Sequence, residues 1–285
     1  MCALKPSPFD YHQPATLDEV FGLLRRHGDD ARLIAGGQSL VPMMNLRLAR
    51  PRVLIDLAAI PGLSEIQPDE DSVRIGAMTR HKDLITDETI KRHLPILRCA
   101  AGHIGHVQIR ARGTLGGSLA NADPSAELSL VMVTLGATFC LRSVRGERHV
   151  AAREFFTDAL TTIMSEDEVL TEAIIPMNAA GRAFSFREIA RRHGDFAIVS
   201  VAVQCSASTG EFLIGIGGLG SVPHFCDRLC STLSTEGGKS PAVWQAIAEE
   251  IARVEPISDL NASGGYRQRV AAVLLAESLE EVLGA

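Results

Sequence analysis

Aromatic side chains are scarce in this chain. They make up 5% of its 285 residues, with one Trp and two Tyr, so a core must be built mostly from Leu, Ile, Val, Ala and Met. No apolar run reaches the roughly 18 residues that a membrane helix needs. The opening Met1-Cys2-Ala3-Leu4-Lys5-Pro6 has no apolar signal-peptide core. Together these make a cytoplasmic protein the default expectation. Positive charge is limited too: the formal net charge is -6, and basic residues come only in pairs or triplets, which gives nucleic acid no footprint. Cys2, Cys99, Cys140, Cys205, Cys226 and Cys230 are scattered and would stay thiols in a reducing compartment. The single cluster, His224-x-Cys226-x-x-x-Cys230, lacks the C-x-x-C pairs of common zinc sites. No cysteine series fits an iron–sulfur cluster, so no metal site is expected in this polypeptide.

What the chain does have is two similar glycine stretches. Leu33-Ile34-Ala35-Gly36-Gly37-Gln38-Ser39-Leu40 is a short apolar run leading into a glycine pair and then a hydroxyl residue. Gly113-Thr114-Leu115-Gly116-Gly117-Ser118-Leu119 repeats the pattern. Glycine reaches positive φ freely and lets another group approach the main chain closely. Consecutive N–H groups in such a turn can converge on an anion, with the hydroxyl as one more donor. Two ordinary glycine turns would share this spacing; two similar loops on separate elements suggest a ligand with two phosphates held between them.

The length suggests two domains. Thr16-Leu17-Asp18-Glu19 reads as a capping box opening a helix that Gly28 ends. Strands follow near Arg32 to Ala35 and Val53 to Leu57, giving a β-α-β-like start. Short strands are expected near 64–67 and 72–76, a helix capped by Thr79, another over 95–101, and a helix from Ser125 through Leu135. His103 and His106 bracket Gly105 and read as polar turn residues. Further strands are expected over 137–142, 150–153 and 169–175, and Pro176 to Gly181 is the best linker. Beyond it, three strand-like runs near 184–189, 198–205 and 212–219 precede three helical segments, an α+β pattern.

Two other motifs fail on context. Gly215-Ile216-Gly217-Gly218-Leu219-Gly220 matches G-x-G-x-x-G, but Pro223 stands where the phosphate-binding helix should run. Gly238-Lys239-Ser240 ends like a P-loop, yet Leu233 occupies the position of its first glycine. Neither glycine loop is a G-x-S-x-G elbow, which argues against a serine hydrolase.

The stretch Ala35 to Leu48 resembles the first FAD-binding segment of the medium subunit of molybdenum hydroxylases, the group that includes aerobic carbon monoxide dehydrogenase and xanthine dehydrogenase. Arg110 to Glu127 resembles the second segment, Arg191 to Ala197 a third landmark near the flavin ring, and Ser258 to Arg267 the closing domain. The resemblance implies an α+β protein. Its FAD-binding domain, of the vanillyl-alcohol-oxidase/PCMH type, would span 1–177 in two subdomains (about 1–57 and 58–177). A smaller α+β domain with a three-stranded sheet would span 178–285. It places Ala35, Gly36, Gly37, Gln38, Ser39, Leu40, Thr114, Gly116, Gly117 and Ser118 on the pyrophosphate, with Asn121 and Asp123 along the same segment. Glu127 stands where the family places a carboxylate on the nucleotide ribose. Leu170 and Arg187 match positions flanking the flavin, and Phe196 one that is tyrosine or aliphatic in relatives. Ser118 replaces the Asn of xanthine dehydrogenases and favours the carbon monoxide dehydrogenase-like branch.

Such subunits have a large partner carrying a molybdenum–pterin cofactor and a small partner carrying two [2Fe–2S] clusters, in a dimer of heterotrimers. The implied role is electron relay from those clusters, by way of FAD, to an external acceptor such as NAD, oxygen or a quinone, with no catalytic acid or base in this chain. A self-contained FAD oxidase and a non-redox nucleotide-binding scaffold are the rival readings.

Overall fold

The computed structural model describes residues 5–177, 182–206, 209–238 and 240–284. The first unit comprises β1 (Asp10–His12), α1 (Leu17–His27), β2 (Ala31–Ile34), α2 (Leu40–Asn45) and β3 (Val53–Asp56). Its strands form a parallel sheet in the order β1-β3-β2. The capping box forms: the Thr16 hydroxyl accepts from the Glu19 N–H at 3.3 Å, and the Glu19 carboxylate reaches back to the Ala15 N–H at 2.8 Å. Val20, Phe21 and Leu24 then bury one face of α1 in the same cluster as Val53 and Ile55.

The second unit begins with β4 (Ile66–Pro68), β5 (Ser72–Gly76), α3 (His81–Thr86), α4 (Glu88–His93) and α5 (Pro95–His103). It continues with α6 (Val107–Arg110), α7 (Leu115–Asn121), α8 (Glu127–Leu135), β6 (Thr138–Ser143) and β7 (Gly146–Ala151). It closes with α9 (Ala152–Phe155), β8 (Phe156–Asp158), β9 (Thr161–Thr162) and β10 (Val169–Pro176). Five of its strands form an antiparallel sheet, β4-β5-β10-β6-β7. Three of the few aromatics pack together here: Phe139, Phe155 and Phe156 meet edge to face, with centroids 4.7 and 5.1 Å apart for the two closest pairs.

Four helices here go beyond the periodicity, among them α9, which begins at Ala152 where the strand expected over 150–153 ends at Ala151. Asp87 nucleates α4 by accepting from the Thr89 and Ile90 N–H groups. The α6 turn covers 107–110. The second glycine stretch is itself the first turn of α7 rather than a loop, because Thr114 caps it. Two expected caps also move. Arg80, not Thr79, precedes α3. Ser125 gives its N–H to the Asp123 carboxylate at 2.9 Å, so α8 starts two residues later, at Glu127.

The third unit is β11 (Arg182–Ala190), β12 (Ala197–Ser206), β13 (Phe212–Gly217), β14 (His224–Phe225), α10 (Asp227–Glu236), α11 (Pro241–Arg253) and α12 (Gly264–Gly284). The three expected strands form an antiparallel sheet, and the two-residue β14 adds a fourth. One face of that sheet is covered by α10, α11 and α12 through Leu229, Ile247 and Leu275. The other receives α8, every residue of which is buried. Residues 178–181, within the expected linker, lie outside the described residues, as do Met1 to Leu4 with Cys2. Among the described residues no helix is long and apolar enough to cross a membrane.

The G-x-G-x-x-G stretch is explained by this seam. A Cβ on Gly215 would collide with Thr134 Oγ1 and stand 2.9 Å from Leu130 Cδ1. One on Gly217 would stand 2.7 Å from Ser200 Oγ and 3.3 Å from Leu130. The glycines let α8 lie directly on β13. Gly218, at φ +72°, turns its carbonyl to the buried guanidinium of Arg267 at 2.8 Å. The His224 and Cys226 cluster is likewise occupied. Glu250 accepts from His224 Nε2 at 2.9 Å and from the Arg228 and Leu229 N–H groups at 2.7 and 3.2 Å, and pairs with Arg253. Burial pushes the Cys230 thiol up to about 12. Glu250 thereby caps the start of α10, and Cys230 packs as a buried thiol within that helix.

Overpacking of this kind costs about 1–3 kcal/mol. Gly215→Val is therefore expected to lower the denaturant midpoint by a corresponding amount. A midpoint equal to that of the parent protein would show that α8 can yield at this seam.

Candidate functional site

The first glycine turn leaves β2 and enters α2. Gly36 is backed by the main chain of another segment: its missing Cβ would overlap the Arg112 carbonyl oxygen and lie 2.7 Å from Gly113 Cα. Gly37 has φ +71°. The Gln38 amide donates back to the Gly36 carbonyl at 3.0 Å, closing the turn. The N–H groups of Gly36, Gly37, Gln38, Ser39 and Leu40 have no acceptor among the described residues. Five consecutive donors in a compact turn make an anion-binding concavity.

The second stretch meets this turn but spends its donors differently. Thr114 Oγ1 accepts from the Gly117 N–H at 3.1 Å. The Leu115 and Gly116 N–H groups donate to the Thr79 and Ala77 carbonyls at 2.9 and 2.8 Å. Gly116 is thus a packing glycine, with Ala77 Cα 2.9 Å from where its Cβ would be. Gly117 faces the first turn, and a Cβ there would stand 3.5 Å from Ala35 Cβ and 2.7 Å from its own cap, Thr114 Oγ1. Ser118 follows, half-buried. The convergence expected from the sequence is present, although positive φ is needed only at Gly37 and not at the second pair.

Asn121 ends α7, Ala122 turns the chain at φ 50°, and Asp123 leads to Glu127 at the first position of α8. Glu127 is 5% exposed. Burial first, and then the neighbouring Glu188 carboxylate, push its pKa up to about 7, against the pull of its own N–H. Glu188 comes from β11, where one oxygen lies 3.2 Å from His103 Nδ1 and the other is buried with no partner among the described residues. Hydrogen bonds to Cys99 and to Glu188 hold His103 up at about 10, so it is an imidazolium at neutral pH. The second and third units therefore meet through a part-buried polar cluster that sequence reasoning missed. His103 ends α5 and is not a turn residue. Glu188 does leave a signal: it shares the alternating face of Phe184 and Phe186, and a carboxylate on an apolar strand face needs a buried partner.

The flavin-flanking residues fare less uniformly. Arg187 projects from the opposite face of β11 and pairs with Glu277 and Glu281 of α12, both at 3.1 Å. It is not brought to the glycine turns. Leu170 is buried within the five-stranded sheet, opposite Leu141. Phe196 is 64% exposed. It follows a loop whose Gly194, at φ +84°, packs against the Gly105 carbonyl and the His106 ring.

A parallel three-stranded unit and an antiparallel five-stranded unit whose glycine stretches meet, with a helix-covered third sheet, define a two-subdomain flavin-binding protein with an appended α+β unit. Residues 7–178 match the FAD binding domain in molybdopterin dehydrogenase, and residues 184–282 the CO dehydrogenase flavoprotein C-terminal domain. The 6-hydroxypseudooxynicotine dehydrogenase complex subunit alpha of Paenarthrobacter nicotinovorans is 36% identical, over 98% of this chain and 96% of its own. The carbon monoxide dehydrogenase medium chain of Afipia carboxidovorans is 35% identical, over 96% of each. The solved carbon monoxide dehydrogenase of Hydrogenophaga pseudoflava superposes with a TM-score of 0.94 at 34% identity, over 98% of each chain. Quinoline 2-oxidoreductase of Pseudomonas putida 86 gives 0.91 at 35% identity, over 99% of each. The chain belongs to the FAD-binding medium subunits of the molybdenum hydroxylases, and is an oxidoreductase subunit of that class.

Two outcomes follow from the site. Gly37→Val forces a β-branched residue into positive φ at about 1–2 kcal/mol and reshapes the turn. The purified variant should lack the visible flavin absorbance while keeping its helical circular dichroism. His103 contributes stability because its folded pKa exceeds the ordinary imidazole value. That contribution is fully present below about 6.5 and is lost as pH rises through about 10. The melting-temperature gap between the parent protein and His103→Gln should be full at pH 6 and vanish above pH 10.

Proposed function

We propose that this chain is the electron-transfer subunit of a molybdenum-containing hydroxylase or dehydrogenase, receiving electrons from a [2Fe–2S] partner and passing them to an external acceptor. The observation that carries this reading is the Gly36 turn: five unspent N–H groups beside the capped start of α7. Such a donor set fits a pyrophosphate. The 35–40 segment would hold it, with Gly117 and Ser118 facing it across the cleft and Thr114 and Gly116 fixing the helix start. Asn121 and Asp123 continue the line. Glu127, with a pKa near neutrality, can share a hydrogen bond with a ribose hydroxyl in either protonation state. When bound, FAD supplies the redox chemistry, and the protein supplies position and electrostatics. Phe196, Leu170 and the Phe186–Glu188 face of β11 are the flavin-side candidates; Arg187 acts there only by anchoring β11 to α12.

Exposed apolar side chains surround this region. Val41, Met43, Leu46 and Leu48 follow the first turn, Val107 and Ile109 lie on α6, and Phe196 stands on the 191–196 loop. Surface of this kind suits protein contacts, here with a small subunit carrying two [2Fe–2S] clusters and a large subunit carrying molybdenum–pterin, in a dimer of heterotrimers. We place the complex in the cytoplasm and divide the chain at 177/178, with the FAD-binding part split near residue 57.

The purified chain should be yellow. Acid precipitation should release its chromophore, and phosphodiesterase should convert it to FMN. Co-expression with its partner genes should bring molybdenum and iron through size exclusion with this chain. A metal-free preparation that oxidises a small organic substrate at full rate would overturn the relay reading in favour of a self-contained oxidase.

A further inference from the structure

His81 lies behind the second glycine stretch, at the start of α3, and is 5% exposed. It grips that stretch twice. Its main-chain N–H donates to the Gly113 carbonyl at 3.0 Å, and its ring Nε2 lies 2.9 Å from the Thr114 carbonyl oxygen. A carbonyl only accepts, so Nε2 carries the proton and Nδ1 is the bare nitrogen. Nδ1 is buried without a partner and faces Gly113, where a Cβ would stand 2.8 Å from both Nδ1 and Cε1. Burial pushes the His81 pKa down to about 4 against the pull of the Thr114 carbonyl, with Arg110 and Arg80 lowering it further. The ring is neutral, as a single-donor role requires. On its other side the 112–113 peptide is the surface against which Gly36 packs. The order of contact is therefore His81, then Gly113 and Thr114, then Gly36 and its unspent N–H groups.

We propose that His81 is a positioning residue for FAD: by holding Gly113 and Thr114, it sets the start of α7 against the Gly36 turn so that both face one pyrophosphate. This rests on the assignment of those turns to the pyrophosphate. His81 itself is too deep to touch the ligand, and it acts through the backbone it holds.

The test uses the full-length chain, stripped of flavin and titrated with FAD, read by flavin fluorescence. The melting temperature of the flavin-free chain is measured in parallel. His81→Phe keeps a ring and removes the donor, whereas His81→Gln places an amide N–H near the Nε2 position. Loss of one such hydrogen bond corresponds to about tenfold in affinity. His81→Phe should raise the FAD Kd by at least that factor, and His81→Gln should recover most of it, while the two flavin-free chains melt alike. Should His81→Phe not fold, Gly113→Ala drives a methyl into the same ring and should raise the Kd comparably. Parent-like affinity in His81→Phe or, where that fails to fold, in Gly113→Ala, would overturn the proposal. So would affinity losses in Phe and Gln variants that simply track their melting temperatures. A parent chain that binds no FAD would instead overturn the assignment of the turns, and this inference with it.

Discussion

Gly36 and the Arg112–Gly113 peptide touch backbone to backbone, and no residue with a Cβ could stand in Gly36's place. The rest of the site is arranged around that contact. It brings the exit of a parallel sheet to the start of a helix belonging to a different sheet. Gly36 is followed by Gly37 at positive φ, and the run of main-chain donors from Gly36 to Leu40 has no acceptor among the described residues. Two further absences of a side chain support it from behind. Gly113 admits the His81 ring, and Gly116 admits Ala77. Each glycine is used for a different approach, by peptide, by imidazole or by methyl. None of the three needs the left-handed conformation that glycine is usually chosen for.

A second close approach organises the other half of the molecule. Helix α8 has no solvent face, so it must be covered on all sides. The five-stranded unit and α5 cover one side, and the glycine-bearing strand β13 covers the other. At the N-terminal end of α8, apolar packing gives way to polar groups: Glu127 from α8, Glu188 from β11 and His103 from α5. A buried ion pair contributes little net stability, but removing one partner strands the other, so the pair fixes how the units meet more than how firmly. The third unit thus meets the FAD-binding part through groups that the glycine stretches do not carry themselves.

The chemical content of the chain is correspondingly narrow. Around the glycine turns, the described residues offer main-chain donors, a near-neutral carboxyl and exposed apolar side chains. Glu250, held by His224, caps α10, and Arg187 ties β11 to α12. That inventory suits an FAD-binding subunit, since a flavin brings its own redox chemistry and asks of the protein position and polarity.

Much of this was legible in the residues alone. The capping box at Thr16, the β-α-β-like opening, the paired glycine stretches and the strands-then-helices order of the last third are demands of local stereochemistry. They can be read from neighbours a few positions apart. The flavin-subunit family was legible in the same way, because two glycine segments carry their residue types in order. What the residues could not show was which atoms fill the space that a glycine leaves empty, or which face of a strand a charge will take. Gly215 reads as a nucleotide motif until Thr134 is found against it. Arg187 reads as a flavin neighbour until strand register turns it toward α12. His81 and Glu188 read as nothing until Thr114 and His103 arrive beside them. Those partners lie tens of residues away, or more, in the chain. Local sequence determined where the backbone could turn and where it could be approached; only the packing of distant segments, which short-range periodicity does not encode, decided what approached it.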